Sequence, residues 1–332
     1  MPTPMLLQPG HDGRKYLNVL PTRVNPPSGY AALLRRYLFE KGEREPRRPI
    51  GPFRADAAAL AAPVPPAALR ATWLGHSTML LEVDGRRFLT DPVWSLRVSP
   101  SQLVGPKRFF APPLALADVP PLDGIILSHD HYDHLDPVAI RALAGRTARF
   151  YCPLGVGAHL RRWGVPAANI SELTWWDEIA VADDFKLTAT PARHFSGRGL
   201  SRDGTLWASW VLQGPQHRVF FGGDSGPFDE AFRQIGERFG PFDLVMLEIG
   251  AADAEWTDIH LGPDEALRAH QLLGGGPLLP LHWGTFSLAL HAWRQPVERL
   301  LETAAPTVPL LLPAPGQRVE VAQGALSSQW WS

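Results

Sequence analysis

The sequence predicts an α/β (α+β) fold in which mixed β-sheets are covered by helices. Three observations carry that expectation. Segments of strand character open the main domain as hairpins and then alternate with helical segments. No internal repeat or low-complexity tract organises the chain. Four residues with metal-binding side chains, His129, His194, Asp224 and His282, each follow the end of a predicted strand, so one edge of a sheet can gather them.

The strand pattern begins after Leu69. It covers Arg70–Gly75, Ser77–Val83 and Arg86–Thr90, with Asp84-Gly85 as the turn between the last two. The connection 91–113 is rich in Pro and Ser and contains Lys107, Arg108, Phe109 and Phe110; loops of this length commonly line a site. Gly124–Ser128 is a short buried strand, and Asp136 is placed to N-cap a helix over Pro137–Leu143. Strands near Arg149–Cys152 and Asn169–Thr174 bracket a helix near Gly155–Trp163, and a strand over Lys186–Pro191 leads to His194. Leu206–Gln213 and His217–Phe221 pair around Gly214-Pro215 and run into Gly222-Gly223-Asp224. A helix over Phe228–Arg238, a strand over Asp243–Glu248, a helix over Pro263–Leu273 and a strand over Pro277–Leu281 lead to His282. A helix over Leu290–Thr303 and strands over Val308–Leu312 and Gln317–Val321 close the chain.

The chain has 332 residues, 45% hydrophobic and 20% charged, which is enough for a sizeable core and unlike a disordered or membrane-spanning protein. Its 34 prolines interrupt apolar segments and read as rigid boundaries. A net charge of -1 offers no general attraction to nucleic acid, and no nucleic-acid partner is expected. Cys152 is the only cysteine, so a thiolate zinc site and an internal disulfide are excluded. Met1 to Asn18 lacks the apolar core of a signal peptide and no run reaches the roughly 18 apolar residues of a membrane span, so a cytoplasmic address is expected. Residues 1–65, punctuated by Pro26-Pro27, Pro49 to Pro52 and Pro63 to Pro66, form an extension before a main domain over 66–332. Within it, Tyr30–Lys41 has apolar residues at 30, 33, 34, 37 and 38 and predicts a short amphipathic helix packed on the main domain. Arg35 and Arg36 give the same helix a basic face, which suits a second use as a peripheral membrane contact.

The chemistry is concentrated in Ser128–Asp136, S-H-D-H-Y-D-H-L-D. That density of nitrogen and oxygen donors is what a first-row divalent metal requires. His129 and His131 can reach one ion while Asp133 and His134 turn to a second; Asp130 and Tyr132 alternate with them and point elsewhere. Each ion still lacks ligands, because a stable shell takes at least four. His194 (P-A-R-H-F), Asp224 (F-F-G-G-D-S-G) and His282 (P-L-H-W-G-T-F) can complete two sites, with Asp224 as the bridge. Two metals roughly 3.5 to 4 Å apart hold a hydroxide nucleophile and polarise an ester or phosphoryl oxygen. A redox di-iron site is disfavoured, since its second position is His131 and not a carboxylate.

This ligand pattern resembles the metallo-β-lactamase superfamily. Within it the sequence is similar to the N-acyl-phosphatidylethanolamine-hydrolysing phospholipase D family. The resemblance rests on T-W-L-G-H-S-T (Thr72–Thr78), L-T-D-P-V (Leu89–Val93), S-P-S-Q-L-V-G-P-K-R-F (Ser99–Phe109), W-W-D-E (Trp175–Glu178), R-F-G-P-F-D-L (Arg238–Leu244), P-D-E-A-L-R-A-H (Pro263–His270) and H-W-G-T-F (His282–Phe286), with the metal motif and F-F-G-G-D-S-G. It covers about 70 to about 290, and the blocks around Ser99–Phe109 and His282–Phe286 are its most specific part.

The resemblance implies a four-layer αββα sandwich and two Zn²⁺ ions, although Mn²⁺ or Fe²⁺ suits the same ligands. One ion is held by His129, His131 and His194, the other by Asp133, His134 and His282, with Asp224 shared. The implied catalytic residues are Asp133, Asp224 and His260, the last near the reacting phosphate. His76 lies below the metals, and His76, Lys107, Arg108 and Trp283 face the substrate. The implied function is hydrolysis of a phosphodiester by a metal-bridging hydroxide, as in a phospholipase D acting on N-acyl-phosphatidylethanolamine-like lipids. The sequence leaves open a lactonase or small phosphate-ester hydrolase of the kind acting on ascorbate 6-phosphate, and a metal-binding module without turnover. A lipid or small-molecule substrate follows in either enzyme reading, and the oligomeric state is not legible.

Overall fold

The structure, a computed structural model, describes residues 5–40, 42–199 and 201–332. Two mixed sheets dominate it. The seven-stranded sheet runs in the order Arg318–Glu320, Leu69–Gly75, Thr78–Val83, Arg86–Thr90, Gly124–Ile126, Phe150–Pro153, Ile170–Leu173. It is antiparallel as far as Arg86–Thr90 and parallel beyond. The six-stranded sheet runs Leu278–Leu281, Leu244–Glu248, Arg218–Phe221, Ser209–Gln213, Phe185–Thr190, Glu178–Ala182, with its first three strands parallel and the rest antiparallel.

The side-chain period of two explains the layering. In the first sheet Trp73, Met79, Leu81, Phe88 and Tyr151 enter the large core together with Phe185, Trp210 and Phe220 of the second. Their neighbours Leu74, Leu80, Leu89, Ile125 and Phe150 enter a separate core. That core is closed by Leu60 of α2 (Ala57–Ala61), Ile140 and Leu143 of α3 (Pro137–Leu143) and Leu160 of α4 (Gly157–Arg162). Phe232 and Ile235 of α5 (Asp229–Phe239), Ala266 of α6 (Gly262–Leu272) and Val297 and Leu300 of α7 (Gln295–Thr303) pack on the six-stranded side. Each fully buried side chain of this size contributes about 1.5–3 kcal/mol. The result is the four-layer αββα sandwich.

Several elements differ from expectation, each for a local reason. The helix expected over Leu290–Thr303 begins only at Gln295, where Pro296 suits a first turn. Upstream, the Trp293 amide is taken by the Glu43 carbonyl at 2.9 Å. The strand expected from Leu206 starts at Ser209, because Leu206 and Ala208 donate instead to Leu154 O (2.8 Å) and Ser128 O (3.0 Å). The edge strand Glu178–Ala182 and the one-turn α2 were not expected.

The N-terminal segment lies against both the core and the site. Leu6, Leu7 and Tyr16 pack on the large core, and Asn18 Nδ2 donates to His194 O at 2.6 Å. Helix α1 (Tyr30–Phe39) corrects the expected docking by its apolar side; Lys41, expected as its end, lies outside the described residues. The anchor is polar, since Arg36 donates to Asp253 at 3.0 and 3.2 Å and to Glu255 at 3.3 Å. This turns Arg36 inward and leaves Leu34, Tyr37, Leu38 and Phe39 from 58% to 76% exposed. Among the described residues no helix is long and apolar enough to cross a membrane.

Candidate metal centre

The histidine-rich loop follows strand Gly124–Ile126, His194 follows Phe185–Thr190, Asp224 follows Arg218–Phe221, and His282 follows Leu278–Leu281. The two sheets therefore meet at a seam formed by strand ends, where mixed α/β folds place their ligands. Close approach there has a backbone cost. His76, Asp91 and His282 have φ values of 54°, 33° and 63°, a region that side-chain-bearing residues rarely adopt. Gly223 has φ 58°, and a β-carbon on it would lie 2.5 Å from the Ser128 β-carbon, so glycine lets the Asp224 turn abut the histidine loop.

The expected ligands converge. The donor atoms of His129, His131 and His194 lie within 4.8 Å of one another, and so do those of Asp133, His134, His282 and His76. Asp224 joins both groups: its Oδ2 is 3.9 Å from His129 Nε2, 3.7 Å from His194 Nε2, and 3.2 Å from Nε2 of both His134 and His282. Asp133 Oδ2 is 3.1 Å from His76 Nε2, 3.5 Å from His282 Nε2 and 3.6 Å from His134 Nε2. Several buried polar atoms here, His134 Nε2, Asp224 Oδ1 and both ring nitrogens of His282, make no hydrogen bond within the protein. Leaving such an atom unsatisfied costs about 1–3 kcal/mol, and cations shared among them remove that cost. The set of imidazoles and carboxylates without thiolate fits two divalent ions.

Burial and charge divide the histidines. Burial holds His129 and His194 well below the usual imidazole range, in the neutral form that ligates. For His134, burial pulls the same way, but the carboxylates of Asp224 and Asp133 prevail and hold the ring well above that range. Burial also opposes protonation of His282, yet Asp224 and Asp133 bring it up to about 10.

Groups outside the expected ligand set orient the rings. Asp91 is fully buried and accepts Ser128 N (2.7 Å), Ser128 Oγ (2.5 Å) and His134 Nδ1 (2.7 Å), which leaves Nε2 of His134 facing the centre. His194 Nδ1 donates to Ile259 O at 2.8 Å with the same effect. Glu248 accepts His260 Nδ1 at 2.6 Å. Asp130 turns away and accepts the Gly197 amide at 2.6 Å; Tyr132 lies under Arg198, whose guanidinium is 4.0 Å from the ring centre and donates to Asp130 O and Leu135 O. Asp91 and Glu248 escaped the sequence reading, although each has the signal that exposed Asp224: an acid at the end of a predicted strand.

Of the four residues expected at the substrate, the structure buries three. Trp283 is buried, stacks on Trp73 and Trp330 with centroids 5.4 and 5.3 Å away, and donates to Pro280 O. Its position next to His282 in sequence does not bring its ring to the centre, because the ring packs into the cluster of Trp73, Trp330 and Trp331. Arg108 is also buried; it donates to Val93 O at 3.2 Å, lies over the Phe286 ring, and is pushed down to about 10 by burial. Lys107 is exposed on the rim, while His76 is wholly buried and touches Asp133 and the His282 ring, so it supports the centre from beneath.

Residues 86–283 match the family described as the Beta-lactamase superfamily domain. The chain belongs to the beta-lactamase superfamily. As a member of this superfamily with clustered His and Asp donors, it is a metal-dependent hydrolase. Among superfamily relatives it is 52% identical over 284 residues to an uncharacterised protein of Mycobacterium tuberculosis, covering 84% of this chain and 73% of the relative. It is 37% identical over 246 residues to N-acyl-phosphatidylethanolamine-hydrolyzing phospholipase D 1 of Caenorhabditis elegans, covering 70% of this chain and 69% of the relative. Isothiocyanate hydrolase from Delia radicum gut bacteria has the same fold, with a TM-score of 0.62 at 22% identity over 76% of this chain and 98% of that one.

Proposed function

We propose that this superfamily member is a two-zinc phosphodiesterase that acts as a phospholipase D on N-acyl-phosphatidylethanolamine-like lipids at a membrane surface. One observation carries the reading: a single oxygen, Asp224 Oδ2, lies within 3.9 Å of Nε2 atoms from both ligand groups. A carboxylate so placed would serve both ligand groups. His129, His131 and His194 would hold one ion and Asp133, His134 and His282 the other, with Asp224 common to both. Two divalent ions held there supply Lewis acidity to phosphoryl oxygens and lower the pKa of a water molecule.

The protein does the rest. The side chains of His129, His134, His194 and His282 are 0 or 1% exposed, whereas Asp133 at 16% and His260 at 13% form the open side. A phosphodiester enters past these two. His260 meets the phosphoryl group, and the buried walls exclude bulk water, which strengthens each electrostatic contact.

The choice of lipid is supported by similarity to the Caenorhabditis elegans enzyme and by the rim of the site. Leu33 and Tyr37 of α1 share a cavity of about 430 Å³ with Arg97, Pro106, Lys107 and Leu288. Around it Leu34, Leu38, Phe39, Leu103 and Val104 are 58 to 87% exposed. Apolar side chains interspersed with Arg35, Arg97 and Lys107 suit the headgroup boundary of an anionic bilayer. Purified protein given vesicles containing N-acyl-phosphatidylethanolamine should release phosphatidic acid and N-acylethanolamine. A chelator should stop release and zinc restore it. Release that continues in metal-free protein, or hydrolysis confined to water-soluble lactones, sinks the reading.

A further inference from the structure

Outside the seven residues assigned as ligands, the centre contains a buried carboxylate, Glu248, that reaches the open side through His260. Glu248 ends strand Leu244–Glu248 and is 1% exposed. Its oxygens are divided between two duties. Oε1 accepts the amides of Ser225 (2.8 Å) and Leu261 (3.3 Å), and Oε2 accepts His260 Nδ1 at 2.6 Å. Among the described residues its ion-pair partners are His260 and, at 3.9 Å, His282; no Lys or Arg pairs with it. An ionised carboxylate accepts on both oxygens, whereas a glutamine accepts on one alone, so both duties at this position require an acid.

The ring that Glu248 holds is itself unusual in the centre. His260 packs between His194 and His282, with centroids 5.2 and 5.1 Å away, yet 13% of its side chain remains exposed. With Nδ1 committed to Glu248, Nε2 is the ring atom left to meet a bound phosphoryl group. Resting on the phosphodiesterase reading above, we infer that Glu248 is the positioning residue of a Glu248–His260 dyad, fixing the tautomer and plane of the imidazole so that Nε2 hydrogen-bonds the reacting phosphoryl group.

The test combines a mutant cycle with a spectrum, both on the full zinc-loaded chain and with bis(p-nitrophenyl) phosphate as probe. Glu248→Gln should lower kcat about 10–100-fold, as loss of a supporting partner does, with KM and bound zinc unchanged. His260→Ala should lower kcat about 10²–10⁴-fold, and adding Glu248→Gln to it should cost nothing more. Glu248→Asp, which keeps both acceptors, should recover part of the loss. Losses that multiply in the double variant, or zinc lost from Glu248→Gln, overturn the dyad. If the wild type turns over neither this probe nor the lipid, it is the phosphodiesterase reading that fails. The dyad is then decided by nitrogen-15 NMR: a far-downfield His260 Nδ1–H resonance should be present in the wild type and displaced in Glu248→Gln. Its absence from the wild type, or indifference to the substitution, overturns the dyad.

Discussion

The seam between the sheets and the rim of α1 with the 95–107 loop treat their side chains differently. At the seam three rings are held from behind: His134 by Asp91, His194 by Ile259 O, His260 by Glu248. At the rim α1 is held by the ion pairs of Arg36, while Phe39 and Leu103 are 76% and 87% exposed. Rigid orientation serves a reaction that depends on fractions of an ångström. On the proposed reading, the exposed apolar surface of the rim serves capture of a lipid substrate, and the contrast separates what reacts from what selects.

Substitutions can break or sharpen that division. The largest effect is expected from Asp224→Asn, which removes the charge and one acceptor shared by both ligand groups. Bound metal, read by elemental analysis, should fall with turnover on every ester, and the loss should exceed the about 10–100-fold typical of a supporting partner. Full metal content in this variant would dissolve the bridging role. Asp91→Asn comes next. It leaves all seven proposed ligands in place but weakens the hold on His134, so metal affinity measured by competition with a chromophoric chelator should drop about 10–100-fold. Unchanged affinity would mean that the strained Asp91 backbone serves the fold alone. The smallest effect on chemistry is expected at the rim. Replacing Leu34, Tyr37, Leu38 and Phe39 by Ser should abolish sedimentation with anionic vesicles while leaving hydrolysis of bis(p-nitrophenyl) phosphate within twofold. Each such surface change should alter stability by no more than about 0.5 kcal/mol. Equal loss on soluble and vesicle-bound substrates would erase the division.

The seam was far more legible in the sequence than the rim. His129, His131, Asp133 and His134 announce themselves by spacing, and His194, Asp224 and His282 by following strands, since strand ends bring distant residues to one edge. Asp91 and Glu248 also stand at strand ends, but the role of each depends on which ring folds against it, His134 and His260, and that pairing is set by tertiary contacts. Trp283 and Arg108 were misplaced for a related reason. They sit in recognisable sequence blocks, but a block does not say which way a side chain points. The orientation of α1 was illegible because Arg36 finds Asp253 217 residues away.

The seam has a thermodynamic consequence as well. His129, His131, Asp133 and His134 come from the seven-stranded sheet, while His194, Asp224 and His282 come from the six-stranded one. Neither half-sandwich alone contains a complete shell for either ion. Any cation bound there acts as a rivet through the middle of the molecule, and its binding energy is counted in the docking of the halves. At a free concentration 100 times its dissociation constant, such an ion adds about 2.7 kcal/mol against unfolding. Metal supply and the lifetime of the folded chain are thereby tied together.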